Sequence, residues 1–226
     1  CDAVVNLAGE NVAGGRWTPE RKKQILESRL QATSLLADMI RSLQTPPAVF
    51  INASAIGFYG NQGDKIVDEG SPAGKGFLAD VCRQWEEAAL SVRRENVRVV
   101  ILRIGVVLSK DGGALSNMLT PFRFGLGGRV GSGMQYMSWI SLNDLVHVVD
   151  FILRNQTLEG VVNAVAPCPV TNGEFTKTLG RVLKRPTILP LPAFAARFIF
   201  GELADELLLG SVRVHPSKLQ KAGYTY

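Results

Sequence analysis

The chain has 226 residues, of which 46% are hydrophobic and 20% are charged. These values are ordinary for a globular α/β protein and exclude a disordered chain. The net charge is +5, yet the Lys and Arg residues are scattered and are not interleaved with aromatic residues, so we expect no nucleic-acid partner. No apolar run reaches the roughly 18 residues that a membrane span needs, so we expect no membrane partner and a cytoplasmic location.

The three cysteines, Cys1, Cys82 and Cys168, lie far apart in the sequence, and only two histidines accompany them. Because no pair has the spacing of a metal-binding or redox motif, we expect neither a metal site nor a disulfide framework. This usage of cysteine is typical of a reducing compartment. We expect a small-molecule substrate as the partner, and the sequence leaves the oligomeric state open.

Strands and helices alternate along the first half of the chain. Residues 2–9 form an apolar run that ends at a glycine, which is typical of a buried parallel strand. Thr18 and Pro19 indicate the start of a helix, and apolar residues follow at helical spacing. Further elements are predicted in this order: a strand at 48–54, a helix at 76–95 and a strand at 97–103. The alternation predicts an α/β fold with a doubly wound parallel sheet of the Rossmann type.

The second half of the chain is less regular. A glycine-rich segment surrounds a helix predicted near residues 115–124, and such loops commonly build substrate sites. Later predictions are a helix at 141–153, a strand at 161–164, a helix at 174–183 with a capping box at Thr171, and a mainly helical tail at 191–226. We divide the chain into a dinucleotide-binding domain at 1–165 and a small C-terminal annex at 166–226.

Four fragments together carry a family resemblance: Asn6-Leu-Ala-Gly-Glu10, Ser54-Ala-Ile-Gly-Phe-Tyr-Gly60, Leu102-Arg-Ile-Gly-Val-Val-Leu108 and Trp139-Ile-Ser-Leu-Asn-Asp-Leu145. In order and spacing they resemble the extended short-chain dehydrogenase/reductase superfamily. Within it, the chain is similar to the atypical branch usually labelled nucleoside-diphosphate-sugar epimerase-like or cell-division-inhibitor-like. The resemblance covers essentially the whole chain.

The resemblance implies NADP as the cofactor, with NAD not excluded. It also implies a fold that begins about three strands earlier, with a glycine-rich loop that holds the cofactor pyrophosphate at a helix N-terminus. No glycine cluster in these 226 residues has that spacing after a strand. We therefore expect an N-terminally truncated member of the family, whose sheet lacks its first strands and its glycine loop.

The cofactor-binding residues follow from the resemblance. Leu7 and Ala8 are expected to contact the adenosine half, and Gly9 to keep the turn open. The alternative for these three residues is a tight turn that binds nothing. Arg29 is a candidate for the phosphate or ribose region because guanidinium suits anions, or else it forms a surface salt bridge. Val107 is expected to line the nicotinamide side, although a buried core valine is the competing interpretation.

Ser54 and Tyr59 are the candidate catalytic residues. Ser54 ends a predicted strand where the superfamily has a catalytic Ser or Thr, and Tyr59 follows in the next loop; a Ser at a strand end is also a common turn former. The superfamily's usual pair, a Tyr and a Lys four residues later, is absent, because Phe77 and Val81 stand in the matching helix. Phenylalanine cannot transfer a proton, and valine has no charge with which to lower the pKa of a neighbouring proton donor.

Two functions are compatible with this sequence. The first is an NADP-dependent oxidoreductase or epimerase-like enzyme acting on a small carbonyl or sugar-type substrate. The second is a dinucleotide-binding sensor or protein-interaction module without turnover. Further side chains have two interpretations each. Asp144 forms a hydrogen bond in the cleft or only caps its helix, and Trp139, Phe122 and Phe124 line a substrate pocket or only pack. His147 is predicted as a core histidine rather than a catalyst.

Overall fold

The computed structural model describes residues 1–92 and 96–226. The strands of this part of the chain are β1 Ala3–Asn6, β2 Val49–Ala55, β3 Ile66–Val67, β4 Arg98–Ile104, β5 Val106–Leu108, β6 Tyr136–Met137, β7 Trp139–Ser141, β8 Gly160–Ala164, β9 Val170–Thr171 and β10 Arg213–Val214. The α-helices are α1 Pro19–Ser42, α2 Phe77–Leu90, α3 Gly113–Arg123, α4 Leu142–Arg154, α5 Asn172–Leu183, α6 Ala193–Phe200 and α7 Ser217–Lys221. The last three predicted residues of the second helix, 93–95, lie outside the described residues.

The central sheet contains four strands in the spatial order β1-β2-β4-β8, and every neighbouring pair is parallel. In register, Asn6 lies opposite Asn52, and Ala55 lies opposite Ile104. The carboxyl ends of the strands therefore share one edge, which is where ligands bind in open α/β sheets. The predicted doubly wound parallel sheet is confirmed.

Both faces of the sheet are covered. Along β2, Val49 and Ile51 point into a core shared with α4 and α7, whereas Phe50 points into a second core shared with α1 and α2. This alternation is the period of two that a strand imposes on its side chains. Because both faces are apolar, the strands read in sequence as continuous hydrophobic runs.

Local signals set the helix starts that the sequence predicted. The Thr18 hydroxyl accepts a hydrogen bond from the Arg21 amide at the start of α1, and Ser141 caps α4 in the same way. At α5, Thr171 and Glu174 form the predicted capping box, with both reciprocal hydrogen bonds present. Each cap satisfies backbone amides that the first helical turn leaves without partners.

The C-terminal annex contains α5, α6 and α7, in agreement with the predicted helical character. Two short strand pairs join it to the rest of the chain: β10 runs parallel to β3, and β9 runs antiparallel to β6. Because these pairs cross between the two units, the boundary that we placed at 165/166 stays a prediction. In residues 1–92 and 96–226, no helix combines the length and apolar character that crossing a membrane requires.

Candidate functional site

A buried polar cluster holds the turn that follows β1. The Asn6 side-chain amide donates to Asn52 Oδ1 at 2.7 Å and to Thr33 Oγ1 at 3.0 Å, and Trp85 Nε1 donates to the same Thr33 oxygen at 2.9 Å. Asn6 Oδ1 in turn accepts from the Ala8 amide at 3.1 Å. Since buried polar groups with complete hydrogen bonding resist rearrangement, this cluster fixes the conformation of the turn.

The turn itself faces solvent. Leu7 is 61% exposed, and Ala8 and Gly9 are also exposed. An exposed leucine beside small residues at the carboxyl edge of a parallel sheet is a suitable contact for a flat heterocycle. The predicted adenosine-contact residues thus stand together and accessible, while their role as ligands stays a prediction.

Arg29 lies directly against this turn. A Cβ atom added at Gly9 would come within 3.1 Å of the Arg29 guanidinium carbon, so glycine is what allows the close approach. The guanidinium lies over the Trp85 ring at 5.0 Å from its centroid, and its Nη1 donates to the Ile25 carbonyl at 2.9 Å. These contacts hold a planar cation beside the exposed turn.

Burial lowers the pKa of Arg29 from its ordinary value, and nearby acidic groups act in the opposite direction. An arginine remains charged throughout the physiological range in spite of such a shift. The predicted alternative, a salt bridge to a neighbouring carboxylate, is not among the ion pairs of the described residues. The side chain therefore offers a preoriented positive charge to an anionic ligand.

Ser54 lies on the face of β2 that packs against α2. Its hydroxyl donates to Glu86 Oε1 at 2.6 Å, and the residue is buried. The same carboxylate forms a bidentate ion pair with Arg103: Nε donates to Oε1 and Nη2 donates to Oε2, each at 2.8 Å. Both side chains of the pair are almost completely buried. Ser54 therefore belongs to an internal ion-pair cluster, and its expected substrate contact stays a prediction.

Tyr59 is completely buried and belongs to the same cluster. Its hydroxyl donates to Asn163 Oδ1 at 2.7 Å and accepts from Arg103 Nη1 at 3.0 Å. Burial raises the pKa of Tyr59, although the charge and hydrogen bond of Arg103 oppose the shift. The phenol therefore stays protonated at neutral pH, and its oxygen already has two partners. The structure connects Ser54 and Tyr59 through Glu86 and Arg103, in a buried cluster near the carboxyl ends of the strands.

The helix that should carry the family's Tyr and Lys pair begins at Phe77. The Phe77 ring meets the Trp17 ring edge to face at 5.1 Å between centroids, and the Lys22 ammonium lies 5.0 Å from the Phe77 centroid. Val81 is buried. An aromatic and cationic contact thus occupies the space around Phe77, and neither Phe77 nor Val81 has a group that transfers a proton.

Val107 lies on β5, opposite Ile140 of β7, and packs partly buried against the main core. The structure does not place it in contact with Ser54 or with the turn after β1, so its nicotinamide role stays a prediction. Trp139, one residue before Ile140, has a buried indole N–H without a hydrogen-bond partner among the described residues. His147 is exposed, so the predicted core histidine is wrong: it lies on the solvent face of α4.

Two residues of the buried cluster were not predicted from the sequence. Arg103 and Glu86 sit in an apolar strand and an amphipathic helix, where each alone resembles a surface charge. An arginine inside a run of β-branched residues was the available signal, because such a residue needs a buried partner. No group of three or more metal-ligating side chains occurs among the described residues.

Two family models match parts of the chain. The model of the NAD dependent epimerase/dehydratase family matches residues 1–164, and that of a domain of unknown function, DUF1731, matches residues 191–226. Epimerase family protein Mb2239 of Mycobacterium bovis is 48% identical over 225 residues, which are 100% of this chain and 74% of that protein. The chloroplastic SDR39U1 homolog of Arabidopsis thaliana is 45% identical, over 99% of this chain and 64% of that protein.

Two solved structures resemble the fold over the entire chain. The human epimerase family protein SDR39U1, crystallised with NADPH, has a TM-score of 0.96 and 39% identity, and the match covers 77% of that chain. The nucleoside-diphosphate sugar epimerase of Corynebacterium glutamicum has a TM-score of 0.79 and 36% identity, over 43% of that chain. The predicted epimerase-like resemblance is confirmed, while the cell-division label and the missing amino-terminal segment stay predictions.

Proposed function

Since the chain belongs to the NAD dependent epimerase/dehydratase family, we propose that it binds NADP(H) and acts on a small carbonyl or sugar-type substrate. The observation that carries this proposal is Arg29, held over Trp85 and against Gly9 at the carboxyl edge of the sheet. A guanidinium fixed beside an exposed, glycine-containing turn has the chemistry that a dinucleotide phosphate or ribose requires. The human relative crystallised with NADPH supports the same cofactor.

The residues of the turn fit a dinucleotide. Leu7 offers an apolar surface, Ala8 and Gly9 allow backbone approach, and the buried amide of Asn6 keeps this arrangement in place before any ligand arrives. Preorganisation of this kind reduces the entropy that binding would otherwise cost. When bound, a nicotinamide cofactor supplies hydride transfer to or from carbon. The protein's part is to bind and orient it.

Ser54 and Tyr59 are proposed as positioning residues. Their hydroxyls are engaged with Glu86, Arg103 and Asn163, and this cluster supports the carboxyl ends of β2, β4 and β8. A proton donor of the Tyr type is not supplied by Phe77. Reaction at a carbonyl would therefore draw its proton from a group other than the side chain at position 77.

A second candidate is a dinucleotide-binding sensor without turnover. The specific observation in its favour is the contact of Phe77 with Trp17 and Lys22, which fills the place where a catalytic phenol would act. The two functions share the cofactor site. They differ only in whether hydride is transferred between the bound nucleotide and a substrate.

Calorimetric titration of the full-length protein with NADPH and NADH tests the cofactor. Arg29→Ala should weaken NADPH binding by roughly 10- to 100-fold, the range of one charge-assisted contact. Lys23→Ala, which removes an exposed charge from the same helix, is the matched control and should leave the affinity unchanged. Equal affinity of the wild type and Arg29→Ala proteins would reject the assignment of Arg29.

A second measurement separates the two functions. Oxidation of NADPH is followed with a panel of aldehydes and ketones, and epimerisation of nucleotide sugars, which consumes no net NADPH, is followed by NMR in the presence of NADP⁺, using protein that binds the cofactor in the titration. Turnover of any substrate favours the enzyme. Binding without turnover across the panel favours the sensor and leaves the cofactor assignment intact.

A further inference from the structure

The annex carries an apolar surface that no other part of the described chain covers. Helix α6 has the sequence Ala-Phe-Ala-Ala-Arg-Phe-Ile-Phe, and its Phe194 and Phe198 are 74% and 81% exposed. These two residues are four apart, so they project side by side from one face of the helix. Large aromatic side chains left this open commonly mark a contact site for a partner or a lipid surface.

The segment that precedes α6 in the chain, and the loop against which it runs, expose further apolar side chains. Segment 186–191 runs against segment 125–131: the Leu191 amide donates to the Arg129 carbonyl at 2.9 Å, and Gly128 has no room for a Cβ against the Leu189 carbonyl. Arg185 Nε also donates to the Arg123 carbonyl at 2.9 Å. The exposed apolar residues that these segments add are Phe124, Leu126, Ile188 and Leu189. Together with Phe194 and Phe198 they are here named the annex patch.

Basic side chains predominate around the annex patch, and the carboxylate that follows α6, Glu202, is paired with Lys22. Segments 112–143 and 175–201 contain seven Lys and Arg residues and no Asp or Glu, although the whole chain has 20 acidic residues. Arg123, Arg129, Arg181, Lys184 and Arg185 are all exposed. Arg197 is the exception in the rim, because Asp205 beyond the patch pairs with it at 2.9 Å. The surface is thus both apolar and strongly cationic.

We propose that the annex patch docks on an anionic lipid surface, with Phe194 and Phe198 inserted at the headgroup boundary and the cationic rim on the headgroups. Exposed aromatic residues flanked by Lys and Arg are the pattern of interfacial membrane contacts. Two copies of this chain joined through the patch would bring like charges together, which disfavours a symmetric dimer. The expectation of no membrane partner rested on the lack of a spanning segment, and surface docking requires none.

Co-sedimentation of the full-length protein with vesicles tests the proposal. Vesicles of phosphatidylcholine with 30% phosphatidylserine are compared with pure phosphatidylcholine, at low and high salt. We expect binding to the anionic vesicles that high salt weakens, because each basic residue near such a surface contributes about a fivefold factor. Arg181→Gln with Lys184→Gln should then lower the partition roughly 25-fold.

The aromatic pair is tested separately. Phe194→Ser with Phe198→Ser should lower binding to anionic vesicles by about tenfold or more, without loss of fold, since both rings are exposed. Leu35→Ser with Met39→Ser, which removes two exposed apolar residues from α1, is the matched control and should bind like the wild type. Far-ultraviolet circular dichroism confirms folding of each variant.

Three outcomes would overturn the proposal. The first is absence of binding to anionic vesicles at low salt. The second is unchanged binding of the Phe194→Ser/Phe198→Ser variant, which would reduce the effect to charge alone. The third is a self-associated protein in sedimentation velocity that the same variant makes monomeric, which would assign the annex patch to a contact between copies.

Discussion

Arg103 illustrates how a single residue can change the interpretation of its neighbours. Its guanidinium binds Glu86 through two hydrogen bonds and reaches the Tyr59 hydroxyl, and its carbon lies 3.3 Å from the centroid of the Phe58 ring. Ser54 was predicted at the end of a strand and Tyr59 in the following loop; the strand continues one residue further, to Ala55, and Tyr59 ends a short 3-10 helix. Their orientation was not predictable, because it depends on a partner on another strand and another on α2.

We predict that Glu86→Gln destabilises the protein by roughly 3–5 kcal/mol, because it leaves the buried Arg103 charge without its counter-ion. Asp80→Asn is the matched control: it removes an ion pair from the same helix, but the Asp80–Arg83 pair is exposed and should contribute less than about 1 kcal/mol. Urea denaturation gives both values. A cost for Glu86→Gln no larger than that for Asp80→Asn would show that the buried pair contributes little.

The helix caps differ in how far apart in the sequence their hydrogen-bond partners lie. Thr171 and Glu174 were predictable as a capping box because both lie within four residues. Helix α2 is capped from the annex instead: Glu206 accepts from the Phe77 amide at 2.6 Å and from the Leu78 amide at 2.9 Å. No sequence pattern connects residues so far apart in the chain.

Glycine at position 76 makes this long-range cap possible. Gly76 has a φ of +116°, and a Cβ there would lie 2.6 Å from a Glu206 carboxylate oxygen. The carboxylate also compensates the positive end of the helix dipole. The annex is therefore anchored at the first turn of the helix that carries Phe77.

Glu206→Gln should lower stability by about 0.5–2 kcal/mol, since one acceptor and the negative charge are lost at the helix start. Amide hydrogen exchange should accelerate in the first turn of α2 before it does elsewhere. Asp205→Asn removes the neighbouring carboxylate, which pairs with Arg197 at an exposed site, and should leave α2 unchanged. Equal exchange in α2 for both variants would contradict a capping role for Glu206.

For the molecule as a whole, the order of elements could be predicted and the packing between distant elements could not. Apolar runs such as Val49–Ala55 and the alternation with helices indicate a parallel sheet, because helical connections between parallel strands cover both faces of the sheet. The predicted turn at Leu7 to Gly9 lies exposed at the sheet edge as expected. The stacking of Arg29 on Trp85 joins two helices and was not visible in the sequence pattern.

In the annex, too, the elements could be predicted but their packing could not. Its helices were predicted from composition and periodicity, but the exposure of Phe194 and Phe198 was not, since an apolar eight-residue segment reads as buried core. Which apolar residues remain in solvent depends on the space that the other elements leave. Surface properties of this kind require the three-dimensional structure.

Hydrogen exchange of the full-length protein with and without saturating NADPH tests the central claim most directly. The account predicts at least about tenfold slower exchange, on binding, in the amides of the turn at residues 7–10, where the cofactor would lie against the backbone beside Arg29. Saturation with NADPH that leaves exchange in this turn unchanged, or the absence of NADPH binding, would contradict it.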